Sequence, residues 1–301
     1  MAEITLKSVM LPNGETMGYR ERAGGDEVVL LVHGNMNSSK HWDVVIENLD
    51  SRFKVIAVDL RGFGISTYHQ PIADLTDYTR DLKLFTEALD LTSIYLVGWS
   101  TGGGVVMQYA ADYPEQVKKL ILLASMSTRG YPFYKDNEQG VPDLEQRITT
   151  RAEIGQLPRT QMISKAGEDR DKAFMKMLFD AAVYNGKKPD PERYEAYLDD
   201  ILTQRNLADI YHGLNVFNIS DIDNPVSKGT GAARRIQAPT LVIRGNIDLV
   251  IPENMVQEIL EDIGERAEAV SMDNCGHSPL IDDLPQLLRH MTNFMEESNP
   301  K

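Results

Sequence analysis

The 301-residue chain carries 45 Asp and Glu against 31 Lys and Arg, a formal net charge of −14. That length suits one large α/β domain or two small ones, and the composition shows no sign of disorder or internal repeats. An acidic balance of this size argues against nucleic acid and anionic membrane surfaces as partners, since both need clustered Lys and Arg.

Read in chain order, the N-terminus MAEITLKSVMLPNG alternates and has no long apolar run, so neither a signal peptide nor a membrane span is expected, and a cytoplasmic location follows. Thr5 to Leu11 and Glu15 to Arg22 flank Pro12-Asn13-Gly14, the pattern of a β-hairpin. Glu27 to Val32 is a continuous apolar run, as in a strand covered on both faces. It ends at His33-Gly34-Asn35. Ser38 or Ser39 can cap a helix bearing Trp42, Val45, Ile46 and Leu49 on one face. Lys54 to Val58 is a second buried strand, closed by the Gly-rich loop Asp59 to Ser66, and a helix is expected from about Leu75 to Leu89.

Ile94 to Val97 then leads into Gly98-Trp99-Ser100-Thr101-Gly102, and a helical pattern begins at once. G-x-S-x-G between strand and helix is the pattern of a nucleophile elbow, in which a sharp turn lifts the serine hydroxyl clear of the sheet edge. A Cβ at Gly98 or Gly102 would crowd such a turn. A Gly-rich turn at a helix start can equally hold a phosphate, so the downstream partners must decide. After the helix, Val117 to Ala124 is the next buried strand, and alternation of strand and helix indicates a mostly parallel sheet with helices on both faces.

From Ser127 to Gln237 no buried strand is expected. Helical periodicities run around Leu144 to Ile154, Ala173 to Tyr184 and Tyr194 to Tyr211. The sheet pattern resumes with Thr240 to Arg244, a helix from Glu253 to Ile263, Ala267 to Met272, and a closing helix from Leu284 to Met295. The expected organisation is therefore a core of residues 1–126 and 238–301, split by a helical cap over 127–237. Insertions of that length usually serve function.

A serine needs a base within hydrogen-bond reach, and the base needs a third group to orient it. His277, in the loop Asn274 to Pro279 after the last strand, would emerge at the same carboxyl edge of the sheet as Ser100. The acid should follow a strand between the two in chain order, where Asp248 stands. Ala124-Ser125-Met126, the other strand end available, offers no carboxylate. Asp59 precedes the serine and is expected to organise its own loop, while Asp273 is close to His277 in sequence. The single cysteine, Cys275, excludes an internal disulfide or a cysteine cluster and reads as a small packed thiol.

Taken together, the motifs His33 to Asn35, Asp59 to Ser66 (DLRGFGIS), Gly98 to Gly103 (GWSTGG), Gly245 to Pro252 (GNIDLVIP) and Cys275 to Pro279 (CGHSP) resemble those of α/β-hydrolase-fold serine hydrolases. The resemblance spans nearly all of the chain outside the insertion. It implies Ser100 as nucleophile, Asp248 as acid and His277 as base, with the backbone amides of Asn35 and Thr101 as the oxyanion hole and Met36 as the alternative to Asn35. It implies no metal and no cofactor. Related dehalogenases and epoxide hydrolases place an aspartate at the elbow, which Ser100 argues against.

The expected reaction is hydrolysis of a carboxylic ester or lactone through an acyl-enzyme. Carbon–carbon bond hydrolysis, perhydrolysis and a ligand-binding receptor without turnover are the alternatives. Tyr131, Phe133, Tyr134, Phe174, Met175, Met177, Phe179, Tyr184, Tyr194, Tyr197 and Phe217 give the insertion its apolar surface, and some of them should roof Ser100. That favours a small-molecule substrate with an apolar acyl group.

Overall fold

The apolar runs of the sequence become the centre of a single sheet. The computed structural model describes residues 3–297; residues 1–2 and 298–301, at the outer ends of the expected core segments, lie outside it. The strands are β1 (Ile4–Met10), β2 (Thr16–Arg22), β3 (Glu27–Val32), β4 (Phe53–Val58), β5 (Ile94–Trp99), β6 (Val117–Leu123), β7 (Tyr134–Asp136), β8 (Pro142–Arg147), β9 (Thr240–Gly245) and β10 (Ala267–Met272). The helices are α1 (Asp43–Asn48), α2 (Leu75–Ala88), α3 (Thr101–Asp112), α4 (Arg151–Gln156), α5 (Pro158–Glu168), α6 (Lys172–Ala182), α7 (Pro191–Ile201), α8 (Leu207–Val216), α9 (Glu253–Ile263), α10 (Pro279–Asp282) and α11 (Leu284–Glu296).

Eight strands form one sheet in the order β1-β2-β4-β3-β5-β6-β9-β10. The hairpin β1-β2 is antiparallel and joins β4 antiparallel, and every pairing from β4 to β10 is parallel. This is the expected α/β architecture, a mostly parallel sheet flanked by helices.

Because successive side chains of a strand face opposite ways, each central strand feeds two cores. Leu30, Val32, Leu96, Leu120, Leu122 and Val242 pack with residues of α2, α3 and α9. Val29, Leu31, Val97, Ile121, Leu123 and Ile243 pack with Trp42, Val45, Ile46, Leu287 and Met291 on the other face. Val29 to Val32 are fully excluded from water. Each such side chain contributes about 1.5–3 kcal/mol relative to exposure. That is why the middle strands read as unbroken apolar runs.

Local signals fix the element starts. The Ser38 side chain accepts from the Lys40 amide and caps a short turn, Ser39–Trp42, ahead of α1. Asp74 caps α2.

Between β6 and β9 the structure departs from the expected run of helices. The stretch expected to be helical from Leu144 to Ile154 is instead strand through Arg147, in an antiparallel hairpin β7-β8, and helix only from Arg151. The cause is local. The Asn137 side chain accepts from the amides of Gln139 and Val141, and Gly140 takes φ +74°, closing a tight turn. Thr150 and Glu153 then form a reciprocal capping box that starts a new helix. Leu144, read as a helix-face residue, is 74% exposed.

The expected helix from Tyr194 to Tyr211 is likewise two helices, α7 and α8. They are separated by a turn in which Thr203 accepts from the Gly64 amide and the Arg205 amide donates to Gly62. Met175, Phe179, Tyr184, Tyr194, Tyr197, Leu198 and Ile201 make a third apolar cluster, which also contains Met36 from the loop after β3.

Candidate active site

Ser100 sits between β5 and α3 with φ +55° and ψ −118°, a conformation a non-glycine residue holds only when its surroundings impose it. Here they do. The Ser100 amide donates to Leu123 O at 2.9 Å, and its carbonyl accepts from the amides of Gly103 and Met126 at 3.0 and 3.3 Å. A Cβ on Gly102 would lie 2.4 Å from Val32 O, and one on Gly34 would lie 2.9 Å from Ser100 Cβ. The chain can turn this tightly only with glycine at both places.

His277 follows β10 in a short loop and Asp248 follows β9. His277 Nδ1 lies 3.0 Å from Asp248 Oδ2, and both side chains are buried. The other carboxylate oxygen accepts from the amides of Val250 and Ile251 at 2.8 and 3.0 Å. Burial alone would raise the carboxyl's pKa. The charge and hydrogen bond of the imidazole, then the two amides, outweigh burial and hold Asp248 below the ordinary carboxylate range. An ionised carboxylate can only accept, so Asp248 receives the Nδ1 hydrogen of His277. Trp99, beside Ser100, donates its indole N–H to the His277 carbonyl at 2.9 Å, tying the His277 loop to β5.

Ser100, His277, Asn35, Met36 and Thr101 line one cavity of about 470 Å³. Among the described residues, Ser100 Oγ has no hydrogen-bond partner, and the amides of Asn35, Met36 and Thr101 donate to none. The Asn37 side chain, with its nitrogen toward the carbonyls of Met36 and Asn35 at 2.9 and 3.2 Å, braces that turn. Met36 takes φ +60°.

The remaining candidates fall elsewhere. Asp59 accepts from the amides of Ser39 and Ile65 and so organises its own loop. His33, fully buried, accepts from the Leu60 amide through Nε2 and contacts the Gly34 carbonyl through Nδ1. Burial pushes its pKa down. Asp273 accepts from Asn246 on the surface. Cys275 is buried, and burial pushes its thiol up to about 11, so it stays protonated at neutral pH. No three His, Cys, Asp or Glu side chains converge as a metal site would require among the described residues, and no described helix is long and apolar enough to cross a membrane.

Of the apolar residues singled out in the insertion, Tyr131, Phe133, Tyr134 and Phe179 line the cavity. Met175, Tyr184, Tyr194 and Tyr197 pack in the third cluster instead. Arg159, Ile163, Leu178, Tyr211 and Leu214 also line it and went unnoticed in the sequence; the 3.6-residue spacing of Tyr211 and Leu214 on α8 was the available signal. A second buried His–Asp contact, His41 Nε2 to Asp200 Oδ2 at 3.4 Å, joins the turn before α1 to α7, with His41 stacked on Tyr197. Neither residue lines the cavity.

A strained serine at a strand-to-helix turn, a His–Asp pair at the neighbouring strand ends, and a parallel sheet beneath them define the α/β-hydrolase class. Residues 27–284 match the family model described as alpha/beta hydrolase fold, and the chain belongs to that family. It is 27% identical over 269 residues to the pimeloyl-[acyl-carrier protein] methyl ester esterase of Nitrosomonas europaea, covering 87% of this chain and 92% of that one. It is 37% identical over 111 residues to an uncharacterised protein of Mycobacterium tuberculosis, but that match covers 36% of this chain and 33% of the relative. The chain thus aligns with only about a third of the mycobacterial protein. Among solved structures, an esterase from Exiguobacterium antarcticum superposes with a TM-score of 0.75 at 17% identity, over 97% of this chain and all of that one, a likeness of fold.

Proposed function

We propose that this protein is a serine hydrolase that cleaves a carboxylic ester or lactone with an apolar acyl group through a covalent acyl-enzyme. The observation that carries the reading is the 3.0 Å Asp248–His277 pair, whose imidazole lines the cavity that Ser100 enters from a strained turn. Ser100 Oγ attacks the carbonyl carbon while its proton passes to His277 Nε2, and Asp248 stabilises the imidazolium. The apo hydrogen bond between nucleophile and base commonly tightens only when substrate is bound. The amides of Thr101 and Asn35 receive the negative charge on the carbonyl oxygen. Collapse releases the alcohol, which takes the proton from His277. Water then attacks the acyl-Ser100 carbonyl by the same route and frees the acid.

The residues between β6 and β9 act in this reading as a cap over Ser100, supplying the apolar wall that excludes water and selects the acyl group. The Nitrosomonas relative, an ester hydrolase by name, supports the reaction type.

The test is a pre-steady-state burst of nitrophenol from a nitrophenyl ester, with fluorophosphonate labelling followed by peptide mapping. Ser100→Ala should lose the burst, the label and at least about a thousandfold in kcat/KM, with Tm unchanged. Saturable ligand binding with neither burst nor label would show a receptor.

A further inference from the structure

The cavity wall holds one permanently charged side chain. Among the described residues no Asp or Glu lines it, in a chain with 45 of them, and Arg159 is the sole Lys or Arg on it. Arg159 stands at the start of α5. Its Nε is buried without a hydrogen-bond partner, and Nη2 reaches only the Tyr134 carbonyl, at 3.5 Å. No carboxylate lies within ion-pair distance among the described residues. Its guanidinium carbon sits 5.5 Å from the centre of the Phe133 ring, which orients the planar fork while Nε keeps no partner and Nη2 only a long one.

Two tyrosines share the cavity wall with this group. Burial pushes the Tyr211 hydroxyl up to about 12, and the neighbouring Arg159 charge pulls it back. Burial also raises the Tyr131 hydroxyl, which Arg159 lowers, and that hydroxyl donates to Val250 O at 3.1 Å. Arg159 therefore lines the same cavity as Ser100, Asn35 and His277.

A guanidinium fork in an apolar wall without an anion is a site for a planar, bidentate anion. We infer that Arg159 binds a free carboxylate on the uncleaved end of the substrate, so that the enzyme acts on half-esters: an apolar chain with the scissile ester at one end and a carboxylate at the other. The inference rests on the serine-hydrolase reading for the reaction but not for the binding.

Two substrate pairs place the carboxylate. Monomethyl adipate against methyl hexanoate puts it on the acyl side, and ω-acetoxyhexanoate against hexyl acetate puts it on the alcohol side. Wild type should favour the anionic member of one pair, and Arg159→Met should lower that preference, the ratio of the two kcat/KM values, by about ten- to a hundredfold, chiefly through KM. Arg159→Lys, which keeps the charge without the fork, should fall between. An unchanged ratio in Arg159→Met, or a wild type that favours the neutral member of both pairs, would overturn the inference and leave Arg159 as a brace for Phe133 and Tyr134.

Calorimetric titration of both anionic esters into Ser100→Ala reads the site without turnover. Loss of at least about tenfold in affinity on adding Arg159→Met, with circular dichroism retained, supports the site even if wild type hydrolyses no ester, an outcome that would overturn only the hydrolase reading. Equal affinity with and without Arg159 would overturn the site while the hydrolase reading stood.

Discussion

The two walls of the cavity are built by opposite means. The wall formed by strand ends is held from every side: Ser100 is pinned by three main-chain hydrogen bonds, and behind His277 the Asp248 carboxylate is held by two amides and the imidazole. The wall between β6 and β9 is lined by Tyr131, Phe133, Leu178 and Tyr211, carried on helices and loops. In the proposed reading, chemistry that needs sub-ångström placement sits where the backbone is over-determined, and shape selection sits where a substitution can alter the surface without moving the frame.

If that division holds, substitutions on the first wall should change rate or stability and those on the second should change preference. The largest effect belongs to Asp248→Asn, which would leave the imidazole in the wrong tautomer and lower kcat by about a thousand- to ten-thousandfold with the fold intact by circular dichroism. Asp59→Asn, at a similar strand end, should instead weaken the fold by about 1–3 kcal/mol, the cost of disturbing buried hydrogen bonds, as urea unfolding would measure. Finding the full kinetic defect in Asp59→Asn would exchange the two roles. Gly102→Ala drives a methyl to 2.4 Å from Val32 O and 2.5 Å from His33 O. It should lower Tm by several degrees, corresponding to about 1–3 kcal/mol.

On the second wall, Leu178→Trp should shorten the cavity and lower the ratio of kcat/KM for long over short acyl esters by about tenfold, with little change in Tm. A uniform loss across chain lengths would break the comparison.

The smallest effect is on acid stability. Because the folded carboxyl of Asp248 titrates below its unfolded value, near 3.9, its contribution is present above that pH and is lost as pH falls through the folded value. The difference in unfolding free energy between wild type and Asp248→Asn should therefore be greatest at neutral pH and shrink below about pH 4. A constant gap would mean the carboxylate is not held by charge.

The same contrast governs what the sequence discloses. The strand-end wall is legible because its constraints are local: a turn as tight as that at Ser100 requires Gly102, and a buried parallel strand must read as an unbroken apolar run. The other wall is not. The β7-β8 hairpin is concealed because none of its strand residues is buried, so Leu144 carries no period that separates an exposed strand from a helix. The break between α7 and α8 is imposed by tertiary contacts from Gly62 and Gly64, far away in sequence. Nothing adjacent to Arg159 distinguishes it from a surface arginine; its meaning arises only where it meets Phe133 and Tyr134 on the cavity wall.

The hydrogen bond from Trp99 to the His277 loop has a spectroscopic consequence. The chain contains two tryptophans, and the other, Trp42, meets Trp99 edge to face at 5.9 Å, both sealed from water. Excitation at the red edge of absorption, where only indoles absorb, thus reads this one pair next to Ser100. Movement of His277 or entry of a ligand alters the field around Trp99, so ligand binding should carry its own unlabelled optical signal.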